Sequence, residues 1–291
     1  MERIYLGPMG QLVALDIPTG GYTHDFVEYG AEHVPLSGLR TKDIVSLRHE
    51  FKIGTDGLTP RALAWFRMLY TEAIAGPLYL RETTEKNLLR ARLASSSSTV
   101  ESLPTQTDWT LSGVGDTAVS VAATNLLLPS AVVGEELTPA PSRALSWFTN
   151  GSSRTIADPV LTPVLPGEKL CFSTYVQSGA TVTLEIVPYN AALAPQTAIT
   201  GTTTVAGTPT RKYIGYTVPT NGTIVAVTVQ TRQATTGTAV LHAVQLEGGT
   251  LTPTAWTMGL GVPKVMFTEH AAGERHPIGP YTNGSYSFKQ V

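Results

Sequence analysis

Residues 181–187 read TVTLEIV, a run in which β-branched and apolar residues alternate with polar ones. TIVAVTV at residues 223–229 has the same character. Such alternation between turns rich in glycine and proline is typical of antiparallel strands, because successive side chains point to opposite faces of a sheet. The two stretches predict that the centre of the chain is a β-sandwich.

Charge density separates this centre from the rest of the 291-residue chain. Residues 94–258 hold 15 of the 42 charged residues, and residues 1–93 and 259–291 together hold the other 27. A serine run at 95–98 and the glycine-rich GLGVP at 259–263 are suited to junctions. We therefore predict a sandwich domain at 94–258, inserted into a domain formed by 1–93 plus 259–291. The alternative is that 259–291 is a terminal extension lying on the sandwich.

The N-terminal flank contains the one clear helix signal. Thr59 can cap a helix and Pro60 suits its first position, since the missing N–H costs nothing there. Apolar residues then recur at helical spacing until Gly76-Pro77, namely Ala62, Phe66, Leu69, Tyr70 and Ala73. Alternation predicts strands at 44–53, 78–80, 264–269 and 285–291. The predicted fold class is mainly β: an antiparallel β-domain with one packed helix, carrying an inserted β-sandwich.

Net charge, apolar run length and cysteine count argue against several classes of partner. The formal charge is -2 and no basic stripe occurs, so we expect no nucleic-acid binding. No apolar stretch approaches the ~18 residues that a membrane-spanning helix needs, and the first residues have no signal-peptide core. The single cysteine, Cys171, lies in an apolar run and is predicted to be a core residue. We expect a protein made in the cytoplasm that binds no membrane.

A search for catalytic patterns finds no convergent set. The turn at 54–57 lacks the Lys-Ser/Thr of a phosphate loop, and no Gly-x-Ser-x-Gly elbow occurs. No pattern pairs the central carboxylates as glycosidase acid and base. His270 and His276, with the acids beside them, do not have the spacing of a metal site, and the remaining histidines are scattered singly. We predict no enzyme activity, no cofactor and no metal site.

Sugar binding is a function that the aromatic content of the centre would allow. Trp109, Trp147 and Trp256 are the candidate residues for stacking on a glycan ring. Three tyrosines lie in the same region, Tyr189, Tyr213 and Tyr216. The alternative for each is a core position, because large rings bury most of their area when they can.

Two stretches of the centre resemble a known group of proteins. VLHAVQLEGGT at 240–250, followed by TPTAW at 252–256, resembles the last strand of carbohydrate-binding-module-like jelly rolls from phage tail and secreted proteins. LPGEKLCFSTYV at 165–176 resembles another strand of that group. The resemblance implies a jelly-roll sandwich and leaves open both its ligand and a structural calcium.

The flanks resemble a second group. IYLGPMGQLV at 4–13, LSGLRT at 36–41, GPLYL at 76–80 and NLL at 87–89 are similar to minor tail proteins of long-tailed phages of actinobacteria, which are related to distal tail proteins. The resemblance implies a homo-oligomeric ring around a tail axis, with other tail proteins as partners. It carries no catalytic residues.

Together these observations predict a structural component of a phage tail tip, located in the virion, that projects a jelly roll. The alternative is a carbohydrate-binding module for adsorption to a host surface glycan. A ring predicts a closed oligomer, whereas a separate binding module could be monomeric.

Overall fold

A computed structural model describes residues 4–15, 22–33, 41–94, 109–113, 120–123, 143–149, 154–201, 204–257, 259, 261–271 and 282–291. The strands in chain order are β1 (Ile4–Gly7), β2 (Val13–Leu15), β3 (Tyr22–His33), β4 (Thr41–Leu58), β5 (Leu78–Glu82), β6 (Thr110–Gly113), β7 (Ser120–Ala123), β8 (Arg143–Thr149), β9 (Arg154–Ala157), β10 (Thr162–Pro163), β11 (Lys169–Asn190), β12 (Ile199–Thr200), β13 (Thr204–Thr217), β14 (Ile224–Gln233), β15 (Gly237–Gly248), β16 (Lys264–Ala271) and β17 (Thr282–Gln290). The helices are α1 (Pro60–Tyr70) and the single turn α2 (Ala91–Ala94). The predicted fold class is confirmed: the protein is mainly β, its sheets are antiparallel, and the described residues include one helix longer than a turn.

The chain divides into two compact units. The first consists of Met1–Glu82 and Pro263–Val291, and the second of Thr83–Val262 lies between these two segments. Each unit has its own apolar core. Residues 83–93, which charge density groups with the flanks, belong to the second unit, and Leu88, Leu89 and Leu93 are buried in its core.

The first unit is built on one seven-stranded sheet with the order β2-β1-β5-β16-β17-β4-β3. β16 and β17 come from the C-terminal segment and lie between β5 and β4, so the two segments share one sheet. Phe66 of α1 stacks on Tyr286 of β17, with ring centroids 3.9 Å apart and planes within 8°. The helix thereby covers one sheet face, as its apolar side predicts.

The sheet curls strongly. Tyr22 on the edge strand β3 donates its hydroxyl hydrogen bond to Glu82 on β5, and three strands, β16, β17 and β4, lie between these two in the sheet order. Such a contact requires the two ends of one face to turn toward each other, as the strong twist of antiparallel strands allows. Phe51, Ile53, Leu6 and Leu80 fill the space inside this curl.

Helix α1 begins as predicted and ends earlier than predicted. The Thr59 hydroxyl accepts a hydrogen bond from the backbone N–H of Ala62 at 3.2 Å, and Pro60 opens the helix. The helix ends at Tyr70 because Thr71 caps it and Glu72 takes a left-handed φ of 55°. Ala73, predicted as part of the apolar face, is therefore outside the helix and exposed.

The second unit is a β-sandwich organised by β11. The sheet order is β6-β9-β14-β11-β15-β8-β7, with β10 paired to β14 and with β12 and β13 paired to β11. The first half of β11 pairs with β13 and β15, and its second half pairs with β14 and β12. One strand thus runs through both layers, and its side chains are buried on both faces along most of its 22 residues.

The change of layer occurs between Ser178 and Val182, where the pairing register shifts. The Ser178 hydroxyl accepts a hydrogen bond from the Ala180 N–H at 2.9 Å, so its side chain satisfies backbone at the bend. Gly237 of β15 faces this point, and a Cβ placed on it would lie 3.0 Å from the Ala180 Cβ. A small residue on both sides lets the strands pass closely.

Candidate functional site

The tryptophans predicted to stack on sugars are core residues wherever their side chains are described. Trp109 and Trp256 are buried, and their indole N–H groups donate to the carbonyl oxygens of Leu93 at 3.3 Å and Val244 at 3.2 Å. Neither ring presents a face for stacking, so burial corrects that prediction for both. Trp147 lies on β8 opposite Ala239, and its side chain is outside the described part of the structure.

Among the three tyrosines of this region, Tyr213 is the one with a large exposed ring. It lies on β13 and is 50% exposed, whereas Tyr189 and Tyr216 are half-buried. Tyr213 pairs with Ser173 on β11, and Arg211 lies two residues before it on the same face. We call Tyr213, Arg211 and the exposed Leu251 and Thr254 the Tyr213 surface.

The Arg211 guanidinium is fixed by several contacts. It donates to the Thr254 carbonyl and, at 3.0 Å, to the Ser173 hydroxyl, and it lies 5.7 Å from the Tyr175 ring centroid. Its nearest carboxylate is Glu247, at 3.9 Å. A charged side chain held in this way is a rigid support for the strand that carries Tyr213.

The Q-L-E part of the resemblance motif has a structural role. Gln245 and Glu247 point to one face of β15, where the chain crosses back over the sheet after the strand ends. Glu247 accepts the backbone N–H of Thr254 at 2.9 Å, and Gln245 donates to the Ala255 carbonyl at 3.3 Å. The crossing segment passes so close to Gly215 that a Cβ there would lie 2.8 Å from the Leu251 carbonyl oxygen. The motif therefore holds a covering segment in place.

A second polar cluster lies on the outer face of the other layer. Glu185 on β11 is buried and accepts hydrogen bonds from Arg232 at 2.8 Å and from the Gln230 amide. Both partners come from β14, directly opposite or diagonal in the ladder. The acid is therefore paired with a cation and an amide, which is how buried charges are ordinarily compensated.

Two histidines that sequence analysis treats as scattered are brought together in the first unit. His24 on β3 and His49 on β4 are 25 positions apart, and His24 Nε2 lies 2.6 Å from His49 Nδ1. Phe26 packs beside both rings, with centroid distances of 5.5 and 4.6 Å, and is 57% exposed. The hairpin register explains the meeting, since Phe26 pairs with His49 and His24 pairs with Phe51.

The first unit also has an apolar cleft of about 780 Å³ at the end of α1. Tyr70, Met266 and Val291 line it and are all largely exposed. Phe267 meets Tyr70 edge to face at 5.7 Å and forms the inner wall.

The described side chains offer little reactive chemistry. Within the described residues no three His, Cys, Asp or Glu side chains form a group that could hold a metal. His276 and the acid at 274 lie outside these residues. Cys171 is buried, and burial, followed by the nearby Glu247 carboxylate, raises the pKa of its thiol to about 12. Asp158 accepts the backbone N–H of Val160 at 2.8 Å and so shapes a turn. In the described part of the chain no helix is long and apolar enough to cross a membrane.

Comparison with known proteins finds structural similarity without sequence similarity. No protein-family model matches the chain, and no curated protein matches it. The enzymatically active domain of tailspike protein 4 from bacteriophage CBA120 is similar with 15% identity and a TM-score of 0.41, over 56% of this chain and 21% of that chain. The chain thus spans about a fifth of the tailspike chain's length.

Two carbohydrate-binding modules are similar over most of their own length. The xylan-binding CBM22-1 domain of Xyn10C from Paenibacillus barcinonensis has 13% identity and a TM-score of 0.35, over 58% of this chain and 97% of that chain. A carbohydrate-binding module of the β-sandwich superfamily has 12% identity and a TM-score of 0.35, over 84% of this chain and 96% of that chain.

Proposed function

We propose that this protein is a non-enzymatic structural component of the tail tip of a long-tailed phage, made in the host cytoplasm and located in the virion. In this proposal the first unit assembles with copies of itself into a ring and contacts other tail proteins. The second unit projects from that ring as a sandwich. The resemblance of the flanking sequence to minor tail proteins suggests this role, and the surface of the first unit supports it.

The observation that carries the proposal is the outer edge of β3. This 12-residue strand pairs with β4 along its whole length, and no described strand pairs with its other side. An unpaired edge presents a row of backbone N–H and C=O groups to which another chain can add a strand. A strand of this length offers enough of them for a specific contact between subunits.

Phe26 adds an apolar group to this edge. Its ring is exposed although it lies on the face that, further along the strands, forms the core of the unit. Burying an exposed phenyl ring against a neighbouring subunit stabilises the contact by roughly 2 kcal/mol. Edge pairing and ring burial together would specify both the direction and the register of assembly.

The experiment compares the masses of the wild-type chain and two variants in solution by light scattering. The wild-type chain is expected to form a discrete oligomer, and Phe26→Glu is expected to shift it to the monomer because a carboxylate is far more costly to bury between subunits than a phenyl ring. Tyr213→Glu is the matched control, since it places the same charge on an equally exposed ring of the other unit, and it should leave the oligomer intact. Equal masses for both variants would contradict the proposed interface.

A second candidate function is favoured by the Tyr213 surface, namely binding of a host surface glycan. An exposed tyrosine ring supplies an apolar face for a sugar ring, and its hydroxyl supplies a hydrogen-bonding group at the edge. Arg211 fixes the strand beneath it, so the ring is presented by a rigid element. This function could coexist with assembly, because the two surfaces belong to different units.

The test of glycan binding uses the same two positions, with Tyr213 now as the test position and Phe26 as the control. Glycan-array binding by the wild-type chain should be lost in Tyr213→Ala and retained in Phe26→Ala, with both variants folded by circular dichroism. Binding that survives Tyr213→Ala, or no binding by the wild-type chain, would remove this candidate.

A further inference from the structure

The His24 and His49 rings share one short hydrogen bond in the first unit. Their nitrogens are 2.6 Å apart and their ring centroids 4.9 Å apart. His24 is enclosed further by Phe26 and Phe51, whose centroids lie 5.5 and 4.5 Å from its own. The pair joins an edge strand to its single described neighbour, because His24 belongs to β3 and His49 to β4.

The protonation state decides whether this contact attracts or repels. Two neutral imidazoles, or one neutral and one protonated, meet as one N–H donor and one acceptor. Two imidazolium rings each present N–H groups on both nitrogens, so the hydrogen bond is lost and like charges face each other at contact distance. Uptake of the second proton therefore turns a bond between β3 and β4 into a repulsion.

The other charged groups near the histidine pair can neutralise only one positive charge. Glu82 of β5 lies 3.8 Å from His24 Nδ1 and also accepts the Tyr22 hydroxyl hydrogen bond. Asp25 and Glu50 neighbour the histidines along the strands, and by alternation they belong to the opposite face of the hairpin, as do Arg48 and Lys52. Among the described side chains, no second carboxylate contacts the pair on its own face.

We propose that the His24–His49 pair is a proton-sensitive latch: it holds the edge strand β3 on β4 near neutral pH and releases it in acid. β3 is suited to such release because it is paired on one side among the described strands. The inference does not depend on the proposed function, since it concerns the fold of a single chain. If β3 is also the assembly edge, acid would weaken assembly through the same step.

The direction of titration agrees with this geometry. Burial, followed by the proximity of His24, lowers the pKa of His49 below its usual value of 6.5. The unfolded chain therefore takes up the proton at a higher pH than the folded one. The stabilisation is fully present above about pH 6.5 and is lost as the pH falls through the lowered value.

Hydrogen exchange measured by mass spectrometry on the full chain tests the latch directly. After correction for intrinsic exchange rates, peptides covering residues 22–27 and 48–53 should lose protection by up to about tenfold between pH 7.5 and pH 5.5. This is the factor that one additional proton bound by the opened state gives at one pH unit below the ordinary histidine pKa of 6.5. His49→Asn retains an amide at the position of Nδ1 and removes one titration, so its protection should change little with pH. Arg48→Gln is the control on the opposite face and should behave as the wild type.

Equal protection of these peptides at both pH values in the wild type would overturn the proposal. A pH response that persists unchanged in His49→Asn would overturn it as well. If His49→Asn folds poorly, His24→Gln serves instead, because its amide nitrogen can replace Nε2 in the same contact. Light scattering on the same samples at both pH values keeps this result separate from any failure to assemble.

Discussion

The side-chain amide of Asn87 donates a 2.8 Å hydrogen bond to the backbone carbonyl of Thr257, 170 positions further along the chain. The same amide group reaches the Val244 carbonyl at 3.3 Å, and its oxygen accepts the N–H groups of Leu89 and Leu246, both at 3.1 Å. One buried side chain thus joins the segment that opens the second unit to the segment that closes it. Asn87 thereby ties together the two ends of the chain segment that forms the sandwich.

We expect Asn87→Ala to destabilise the second unit by about 2–4 kcal/mol, because the change leaves several buried backbone groups without partners. Asn190→Ala is a matched control, since Asn190 caps an exposed loop by accepting N–H groups from Ala192 and Ala194, and it should cost about 1 kcal/mol or less. Urea denaturation measures both. A loss for Asn87→Ala no larger than that of the control would show that Asn87 does not close the sandwich.

Gly259 is required by the same closure. Its φ is 66°, and a Cβ there would lie 2.3 Å from the Asn87 carbonyl oxygen. Gly259→Ala should therefore lower the melting temperature more than Gly249→Ala, which has a φ of 86° with open space around it. Gly249→Ala should lose only the free energy that a left-handed backbone costs a residue with a Cβ, about 1–2 kcal/mol. Equal shifts in the two variants, measured by differential scanning calorimetry, would contradict a close approach at Gly259.

His242 makes the sandwich sensitive to acid. It is fully buried at a bulge of β15, neither ring nitrogen has a hydrogen-bond partner among the described residues, and burial lowers its pKa to about 4. Because the folded pKa lies below the unfolded value of 6.5, stability is complete above about pH 6.5 and falls as the pH approaches 4. We expect a loss of roughly 2 kcal/mol between pH 7.5 and pH 5.

Urea denaturation followed by tryptophan fluorescence measures this loss, since three of the four tryptophans, Trp109, Trp147 and Trp256, belong to the second unit. His242→Leu removes the titration and should flatten the pH dependence of that unit. The same acid loss in His242→Leu would assign it to another group.

Cys171 should be inert in the folded protein. Its side chain is buried and the pKa of its thiol is raised to about 12, so almost none is thiolate at pH 8. A thiol-disulfide reagent should label the native chain about a thousandfold more slowly than the denatured chain. Labelling at similar rates in native buffer and in denaturant would show that the first half of β11 opens readily.

Local patterns were sufficient to predict several strands of each unit, the helix start and the β-rich class, but not the edge strand β3. The period of two at 181–187 and the Thr59-Pro60 cap act within a few residues, so sequence alone carries them. The passage of β11 through both layers was not predictable, because it depends on which strands pair with each half. The early end of α1 was not predictable either. It depends on the left-handed backbone of Glu72, and glutamate is not a residue type that signals such a conformation.

The site was harder to predict than the fold. Composition alone suggested the tryptophans as residues that stack on sugars. Trp109 and Trp256 are instead buried, because large rings are the side chains best able to fill the sandwich core. Tyr213 is exposed because it lies on the outer face of β13, a fact that follows from register. The His24–His49 pair also arises from register alone, since the two residues lie on different strands of one hairpin.

Assembly into a ring can be tested by measuring the mass of the wild-type chain in solution by light scattering across a range of concentrations. We expect a discrete species at a fixed multiple of 31.0 kDa that persists over that range, because a ring closes and then stops growing. A mass of 31.0 kDa at every concentration would contradict assembly of the chain into a ring.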